Sequence, residues 1–282
     1  MKNTVKSVAL FANMAKREAA HSARMISKLL HDRGIKVVLG EGSAIEKKLQ
    51  TVDLAIAAGG DGTMLRTARI LAPFSVPLLG VNSGGLGFLS GIDAVDFKKQ
   101  LSMILQGQFV MEERWLLEAE VLRNNKRVFG PQIALNDCVI KSFDPRAFYL
   151  RVSLGERFLT DYFGDGLILS TPTGSTAYAL AAGGPIVDPS MDVLLLSPIC
   201  PHTLTQRPLV LPVKETLYIQ VVQRRPREKV QALVSMDGQT NFNLQLGDHL
   251  RVKKYHKTFK LVLHPKRSYF EVLRRKFKWG ER

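Results

Sequence analysis

The sequence has 282 residues, of which 45% are hydrophobic and 23% charged, a composition typical of a globular protein with one large or two medium domains. It contains no eighteen-residue apolar run, which argues against a membrane span, and its first ten residues do not have the pattern of a signal peptide. Two isolated cysteines, Cys138 and Cys200, favour a reducing, cytoplasmic compartment over a disulfide framework, and a formal net charge of +15 favours anionic partners.

The basic charge is concentrated near the C-terminus, where the segment from Arg251 to Arg282 contains twelve Lys or Arg residues and two acids. Such a segment is either a solvated basic face or a surface that binds polyanions, nucleic acid included. The aromatic residues of this segment alternate like core positions and form no evident base-stacking platform, so we do not expect a nucleic-acid partner.

The first half of the chain predicts alternating strands and helices. Short apolar runs alternate with segments of helical composition, and the run Val52–Ala58 is apolar throughout, as in a strand buried on both faces. This order predicts a parallel sheet with helices on both sides. The predicted strands are Lys6–Phe11, Ile35–Leu39, Val52–Ala58 and Val76–Val81, and the predicted helices are Ala15–Asp32 and Met64–Leu71.

After about Met111 the pattern changes to longer strands of alternating character, separated by turn pairs such as Asn124-Asn125 and Asp237-Gly238. This pattern predicts an all-β region with few helices, and Ser268–Lys278 then predicts a short helix or turn. The predicted strands are Leu116–Arg123, Arg127–Leu135, Ala147–Leu154, Leu167–Ser170, Leu217–Val222, Lys229–Val234, His249–Lys254 and Lys260–Leu263.

The strongest local signal for chemistry is the loop Gly59-Gly60-Asp61-Gly62-Thr63, which follows the buried strand and precedes a helix. Glycines let backbone N–H groups approach a phosphate, and a helix N-terminus favours negative charge. Asp61 is unfavourable beside a polyphosphate unless it holds a cation or accepts a proton. No Gly-Lys-Ser/Thr follows, so this is not a P-loop, and the alternative is a tight turn with a capping Asp.

Two further polar segments are weaker signals. The segment Ser170–Tyr178 is rich in hydroxyl groups and precedes a predicted helix, Ala177–Ala182, so it either binds a nucleotide or caps that helix. The pair Asn136-Asp137 ends a strand-like run, where Asn can both donate to and accept from a base or ribose, and a turn is the alternative. No hydrolase frame surrounds Ser175, and none of the six histidines forms a metal-ligand pair.

The loop Gly59–Thr63 resembles the glycine-glycine-aspartate-glycine motif shared by NAD kinases, 6-phosphofructokinases and diacylglycerol kinases. The remaining blocks resemble those of NAD kinases in the order that this family has them, over nearly the whole chain. These blocks are Leu79–Asn82, Gly87–Leu89, Asn136-Asp137, Asp165–Tyr178, Ser197–Leu204, Arg207–Leu209, Asp237–Gln239 and, as in bacterial members, Leu273–Arg282.

The resemblance implies an α/β N-terminal domain with a parallel sheet over residues 1–110 and a mostly β, sandwich-like domain that binds NAD over residues 111–265. Residues 266–282 would pack back on the first domain. It also implies a cytoplasmic homo-oligomer, a dimer or tetramer, that transfers the γ-phosphoryl group of ATP, or of polyphosphate in some relatives, to the adenosine-ribose 2′-hydroxyl of NAD. Mg²⁺ or another divalent cation would accompany the donor, with no protein ligand assigned.

Site residues follow from the same resemblance. Asp61 is expected to be the general base for the ribose 2′-hydroxyl or the group that orients it. Phe88 is placed against adenine, and Arg66 is placed within reach of a phosphate. The donor phosphates are expected at Gly59, Gly60, Gly62 and Thr63. The expected NAD-contacting residues are Asp61, Gly62, Arg66, Phe88, Asn136, Asp137, Arg146, Asp165, Thr176, Ala177, Tyr178, Ala181 and Gln239.

The chain departs from the family pattern at three places. Asp137 stands where the family usually has Glu, Phe163 stands where several members have Arg, and the segment Lys141–Ala147 that contains Arg146 aligns poorly. Two other classes of protein share part of the pattern: a lipid or sugar kinase with the same glycine-aspartate loop, and a non-catalytic nucleotide or nucleic-acid binder. The Thr173–Tyr178 block and the Asn136-Asp137 pair argue against the first, and the intact Asp61 argues against the second.

Overall fold

The fold was obtained as a computed structural model that describes residues 4–40, 45–84, 87–144, 146–223, 231–264 and 268–280. The chain forms two compact units, one of Met1–Glu113 with Thr258–Arg282 and the other of Arg114–Lys257. Among the described residues, no helix is both long enough and apolar enough to cross a membrane.

The first unit is a parallel sheet with helices. Its strands are β1 (Ser7–Ala12), β2 (Lys36–Leu39), β3 (Leu54–Ala58), β4 (Leu78–Asn82) and β5 (Ile92–Asp93), together with the end of β17 (His249–Leu263). The central strands lie in the order β2–β1–β3–β4, and the last residues of β17 add to β4, with Leu261 opposite Leu78. The helices are α1 (Arg17–His31), α2 (Ile45–Leu49), α3 (Asp61–Leu71), α4 (Ala94–Leu105) and α6 (Tyr269–Phe277).

Apolar spacing explains how these elements pack. Every residue of β3 is buried, as expected for a central strand of a parallel sheet. α1 buries Ala23, Ile26 and Leu30 on one face, at the three- and four-residue intervals of a helix. These side chains join Phe97 and Leu101 of α4 in one hydrophobic cluster with the strands. Burial of this cluster is the main stabilising term for the unit.

The second unit consists of antiparallel strands in two groups. One contains β6 (Val110–Arg123), β7 (Lys126–Ala134), β9 (Phe148–Leu154), β10 (Arg157–Gly164) and β14 (Leu217–Val222), together with the first part of β17. The other has the order β13–β12–β11–β8–β15–β16. Those strands are β8 (Asp137–Ser142), β11 (Gly166–Ser170), β12 (Val193–Ile199), β13 (Leu209–Pro212), β15 (Ala232–Met236) and β16 (Thr240–Leu244), and the short helix α5 (Tyr178–Ala181) follows β11.

Side chains from both groups meet in one core, which includes Val152 and Ile219 from the first group and Leu167 and Leu196 from the second. Two sheets that bury their inner faces against each other form a β-sandwich. The predicted fold class is therefore confirmed: a parallel α/β region at the N-terminus and a sandwich-like β region after it.

Several predicted elements were wrong in extent. The predicted strands His249–Lys254 and Lys260–Leu263 are parts of the single strand β17, because the chain between them stays extended. α3 begins at Asp61 and not at Met64, since Gly60 is already its N-cap. The predicted helix Ala177–Ala182 is only the single turn α5, and the start of the predicted strand Lys229–Val234 lies outside the described residues.

Candidate active site

The predicted phosphate loop lies between β3 and α3 in the first unit. Gly59 is buried with a φ of 155°, and a Cβ at this position would come within 2.6 Å of the Thr63 hydroxyl, so the position requires glycine. Gly60 and Gly62 are exposed, and a Cβ at either would meet nothing within 4 Å. These two glycines leave the backbone open at the start of an eleven-residue helix, whose positive end favours the binding of phosphates.

Asp61 is the first residue of α3 and is half-buried. One of its carboxylate oxygens accepts the backbone N–H of Phe88 at 3.1 Å, and the other accepts the N–H of Leu89 at 3.2 Å. A Cβ on Gly87 would collide with the same carboxylate. The second glycine-rich segment, whose Gly85 and Leu86 lie outside the described residues, therefore holds the Asp61 side chain in a fixed orientation.

Phe88 lies beside Asp61 through this segment, and its ring also contacts the C-terminal helix. The ring centroids of Phe88 and Phe277 are 5.8 Å apart, and the Lys276 ammonium group lies 5.7 Å from the Phe88 ring. Arg66 is exposed on α3, and its guanidinium has no polar partner among the residues that the structure describes. The first unit thus brings Asp61, the loop glycines and Phe88 together and leaves Arg66 free to contact a ligand.

A cavity of about 400 Å³ in the second unit contains four of the predicted NAD-contacting residues. Asn136 and Asp137 line it at the start of β8, and Ala177 and Tyr178 line it at the start of α5. Sequence reasoning missed the other lining residues, which the antiparallel pairing of β8, β15 and β16 brings to the same place. They are Val139, Lys141, Leu233, Ser235, Asp237, Gly238 and Asn241.

Asp237 holds the chain at Asn136 and Asp137 in place. Its carboxylate accepts the backbone N–H groups of Leu135 at 3.0 Å, Asn136 at 2.8 Å and Asp137 at 3.1 Å. In return, the Asp237 N–H donates to the Asp137 carbonyl at 2.9 Å. Asp237 is buried and has a φ of 50°, a conformation that Asp tolerates in turns.

Asp137 is buried beside this carboxylate. Burial, and then the charge of Asp237, raise the pKa of Asp137 to about 7. Burial, and then the charges of Asp137 and Asp237, raise the pKa of the neighbouring Cys138 thiol well above its usual value. The alternative interpretation of Asn136-Asp137 as a turn is wrong for Asp137, because Asp137 is the first residue of the buried strand β8.

The hydroxyl-rich segment holds the Asn136 backbone next to Tyr178. The Thr171 hydroxyl donates to the Leu135 carbonyl at 2.6 Å, and a Cβ on Gly174 would collide with the Asn136 carbonyl. The Ser175 hydroxyl donates to the Pro172 carbonyl at 2.7 Å and accepts the Val187 N–H at 3.0 Å. These hydroxyls therefore serve the local fold, and Tyr178 is the exposed side chain that the segment presents to the cavity.

Five of the predicted NAD-contacting residues lie in the second unit but do not line this cavity. Arg146 and Ala181 are exposed, and Gln239 is exposed in the turn after β15. Thr176 is half-buried, with its hydroxyl 3.4 Å from the Thr173 carbonyl. Asp165 is half-buried between β10 and β11 and is held by its backbone, with its N–H donating to the Ile199 carbonyl.

Phe163, one of the three departures from the family pattern named above, belongs to an aromatic cluster. Its ring stacks on Tyr149 with centroids 4.3 Å apart and meets the His202 ring edge-on at 5.0 Å. The Phe163 N–H donates to the side-chain carbonyl of Gln206, whose amide group in turn donates to the Asp161 carbonyl. These contacts pack the 202–206 segment on β10.

No group of three or more His, Cys, Asp or Glu residues suited to a metal occurs in the described part of the chain. Mg²⁺ in phosphoryl-transfer sites is usually held by one or two carboxylates together with the phosphates of the substrate. The half-buried Asp61 carboxylate at the helix start is a group of this kind, so the residues fit a cation that arrives with the nucleotide.

Two family models match the chain. The model described as "ATP-NAD kinase N-terminal domain" matches residues 41–109, and the model described as "ATP-NAD kinase C-terminal domain" matches residues 135–264. Together they cover most of the chain, and each contains one of the two clusters described above.

Similar proteins have the same family name. The chain is 37% identical over 267 residues to a NAD kinase of Sulfurimonas denitrificans, and these residues make up 94% of this chain and 91% of that protein. It is 44% identical over 235 residues to a NAD kinase of Aquifex aeolicus, covering 83% and 84% of the two chains. A crystal structure of yeast NADH kinase complexed with NADH has a TM-score of 0.90 at 24% identity and covers all of this chain and 89% of that one, which shows the shared fold.

Proposed function

The chain belongs to the NAD kinase family and phosphorylates NAD to NADP, and we propose that Asp61 accepts the proton of the acceptor hydroxyl in this reaction. The observation that supports this role is the fixed carboxylate of Asp61 at the N-terminus of α3, held by the N–H groups of Phe88 and Leu89. A carboxylate in this position is already oriented before substrate binds, which is what a general base requires.

In the proposed step, the 2′-hydroxyl oxygen of the adenosine ribose forms a bond to the γ-phosphorus of ATP. The bond from that phosphorus to the bridging oxygen breaks, ADP leaves with the electron pair, and the hydroxyl proton passes to the Asp61 carboxylate. Charge spreads over the transferred oxygens in the loose transition state, so positioning and electrostatics do most of the catalysis. The positive N-terminal end of α3, at Gly60–Thr63, would hold the donor phosphates there.

A divalent cation such as Mg²⁺ would neutralise charge on the donor phosphates when it is bound, and the Asp61 carboxylate at the start of α3 would help to hold it. Arg66, which is exposed on the same helix, would add a positive charge from the protein.

We propose that the cavity in the second unit binds part of the dinucleotide. Asn136 and Asp137 provide hydrogen-bonding groups on one side, and Tyr178 provides an aromatic face on the other. Phe88 would contact the adenine ring. The remaining predicted contacts, Arg146, Asp165, Thr176, Ala181 and Gln239, lie outside the cavity lining, so they would act only once substrate extends beyond it. A homo-oligomer in the cytoplasm is the expected state of the enzyme.

A coupled assay for NADP formation tests this proposal. Purified protein is incubated with NAD and either ATP or polyphosphate, with Mg²⁺ or with a chelator, and NADH replaces NAD in a parallel series. NADP formation from NAD and ATP that stops on chelation is the expected result. NADP formation that is unaffected by chelation would contradict the metal assignment, and no NADP formation with any donor would contradict the function.

A further inference from the structure

A second cavity, of about 410 Å³, lies in the first unit between α1 and the strands β1 and β2. None of its lining residues belongs to the phosphate loop or to the Asp61 cluster. Apolar side chains of Leu10, Ala12, Met14, Ala23 and Leu39 form most of its wall. The remaining lining residues are Arg24, Ser27, Lys28 and His31, all on α1.

The apolar wall is open to solvent at two large side chains. Leu39 is 65% exposed at the end of the edge strand β2, and Met14 is 48% exposed just before α1. Leu10, by contrast, is buried at the base. A concave, mostly apolar surface that ends in exposed Leu and Met side chains has the character of a small-molecule site, because covering it with an apolar group removes that surface from water.

Three basic side chains form a rim along this wall. Arg24, Lys28 and His31 are spaced four and three residues apart, so they lie on one stripe of α1 that spans about 10 Å. In the described part of the chain, the Arg24 guanidinium and the Lys28 ammonium group have no hydrogen-bond or ion-pair partner, and no carboxylate is among the lining residues. The His31 Nδ1–H donates to the Ser27 carbonyl at 3.3 Å, so Arg24 and Lys28 are the two cationic groups that the rim leaves open to a ligand.

We propose that this cavity binds an anionic amphiphile, namely a medium-chain fatty acid whose carboxylate lies at Arg24 and Lys28. The hydrocarbon chain would lie against Leu10, Met14 and Leu39. A solvated basic face would explain the rim but not the exposed apolar wall. An apolar ligand would explain the wall but not the two cationic groups, Arg24 and Lys28, that face no carboxylate among the lining residues. The combination of the two surfaces matches a charged head on a hydrocarbon tail.

Isothermal titration calorimetry of the full-length protein with decanoate, below its micelle concentration, tests the proposal. The expected result is saturable binding of one decanoate per chain. Removing methylenes, from decanoate to octanoate, is expected to weaken binding about two- to fourfold per methylene, because each buried methylene contributes to affinity. Decanol and decyltrimethylammonium, which share the tail but not the negative charge, are expected to bind at least about fivefold more weakly.

The variant Arg24→Gln/Lys28→Gln removes the rim charge from exposed positions, so it is not expected to disturb folding. It is expected to weaken decanoate binding at least about fivefold. Lys98→Gln/Lys99→Gln, which removes the same charge from exposed positions on α4, is the matched control and is expected to bind decanoate like the original protein.

Three results would overturn the proposal. One is the absence of saturable decanoate binding, and another is equal weakening in the rim variant and in the α4 control. The third is a sedimentation experiment in which Leu39→Glu dissociates an oligomer while decanoate fails to bind, because a second copy of the chain would then cover this surface.

Discussion

Replacing Asp237 with Asn puts an NH₂ group where a carboxylate oxygen now accepts a backbone N–H. One Asp237 oxygen accepts two N–H groups, from Asn136 and Asp137, and the other accepts the N–H of Leu135. The Asn oxygen can keep the first two, but its NH₂ group then faces the Leu135 N–H, and two donors meet. A buried N–H without a partner costs about 1–3 kcal/mol, and the two remaining hydrogen bonds lose their charge assistance.

We therefore expect Asp237→Asn to lower the free energy of unfolding by about 3 kcal/mol and Tm by about 10 °C, measured by urea and thermal denaturation. Because the loosened backbone carries Asn136 and Asp137, the KM for NAD is expected to rise at least about fivefold, with a smaller change in kcat.

Asp248→Asn is the matched control for this experiment. Asp248 is also buried in the second unit, where it accepts two hydrogen bonds from Arg123 and one from the Gln245 N–H, all at 2.8 Å, and it does not line the cavity. The Asp248→Asn variant should therefore be less stable than the original protein but have the same KM for NAD. The reasoning would be refuted if Asp237→Asn had the original Tm within about 2 °C, or if both variants raised KM equally.

Three further outcomes are expected. The pKa of Asp137 is raised to about 7 in the folded protein, so the free energy of unfolding should be highest at low pH and should fall by up to about 4 kcal/mol as the pH rises from about 4 through 7. Urea titrations at several pH values measure this fall, which should be absent in Asp137→Asn. Gly87→Ala should lower kcat because its new methyl group displaces the Asp61 carboxylate. If it acts only through Asp61, the double variant Gly87→Ala/Asp61→Asn should have the kcat of Asp61→Asn alone; losses of kcat that add in the double variant would argue against the contact between residues 87 and 61. A thiol reagent should modify the exposed Cys200 in the native protein and reach Cys138 only on unfolding, since Cys138 is buried and its pKa is raised; rapid labelling of both would contradict this.

The sequence was most informative where the signal is local. The glycine loop predicts a strand end followed by a helix because both the backbone freedom of Gly59 and the apolar run before it belong to neighbouring residues. The contact between Asp61 and the Phe88 N–H joins residues 27 positions apart, and no periodicity encodes it. The resemblance named both residues without indicating that one holds the other.

The contacts of the Asp237 carboxylate could not be predicted for the same reason. The Asp237-Gly238 turn is visible in the sequence, yet the partners of its carboxylate lie about 100 residues earlier. Only the pairing of β15 with β8 brings them together. Lys141, Ser235 and Asn241 were missed as lining residues for the same reason, because sheet pairing and not sequence spacing places them in the cavity.

One omission had a readable signal. α4 was not predicted, although Phe97, Leu101 and Ile104 are spaced four and three residues apart and Asp93 precedes them. In the structure the Asp93 carboxylate accepts the Asp96 N–H at 2.8 Å, as an N-cap does. In β17, by contrast, charged residues interrupt the apolar alternation, and the strand is continuous because its neighbours supply hydrogen bonds.

Single-turnover NADP formation by Asp61→Asn, alongside NAD binding by the same variant, tests directly whether the Asp61 carboxylate accepts the proton. Asn keeps the size of the side chain and an oxygen for a backbone N–H but cannot accept a proton from the ribose hydroxyl. The rate is expected to fall at least about 100-fold, while the Kd for NAD changes only a few-fold. A rate within about threefold of the original enzyme would contradict the role of Asp61 as the base.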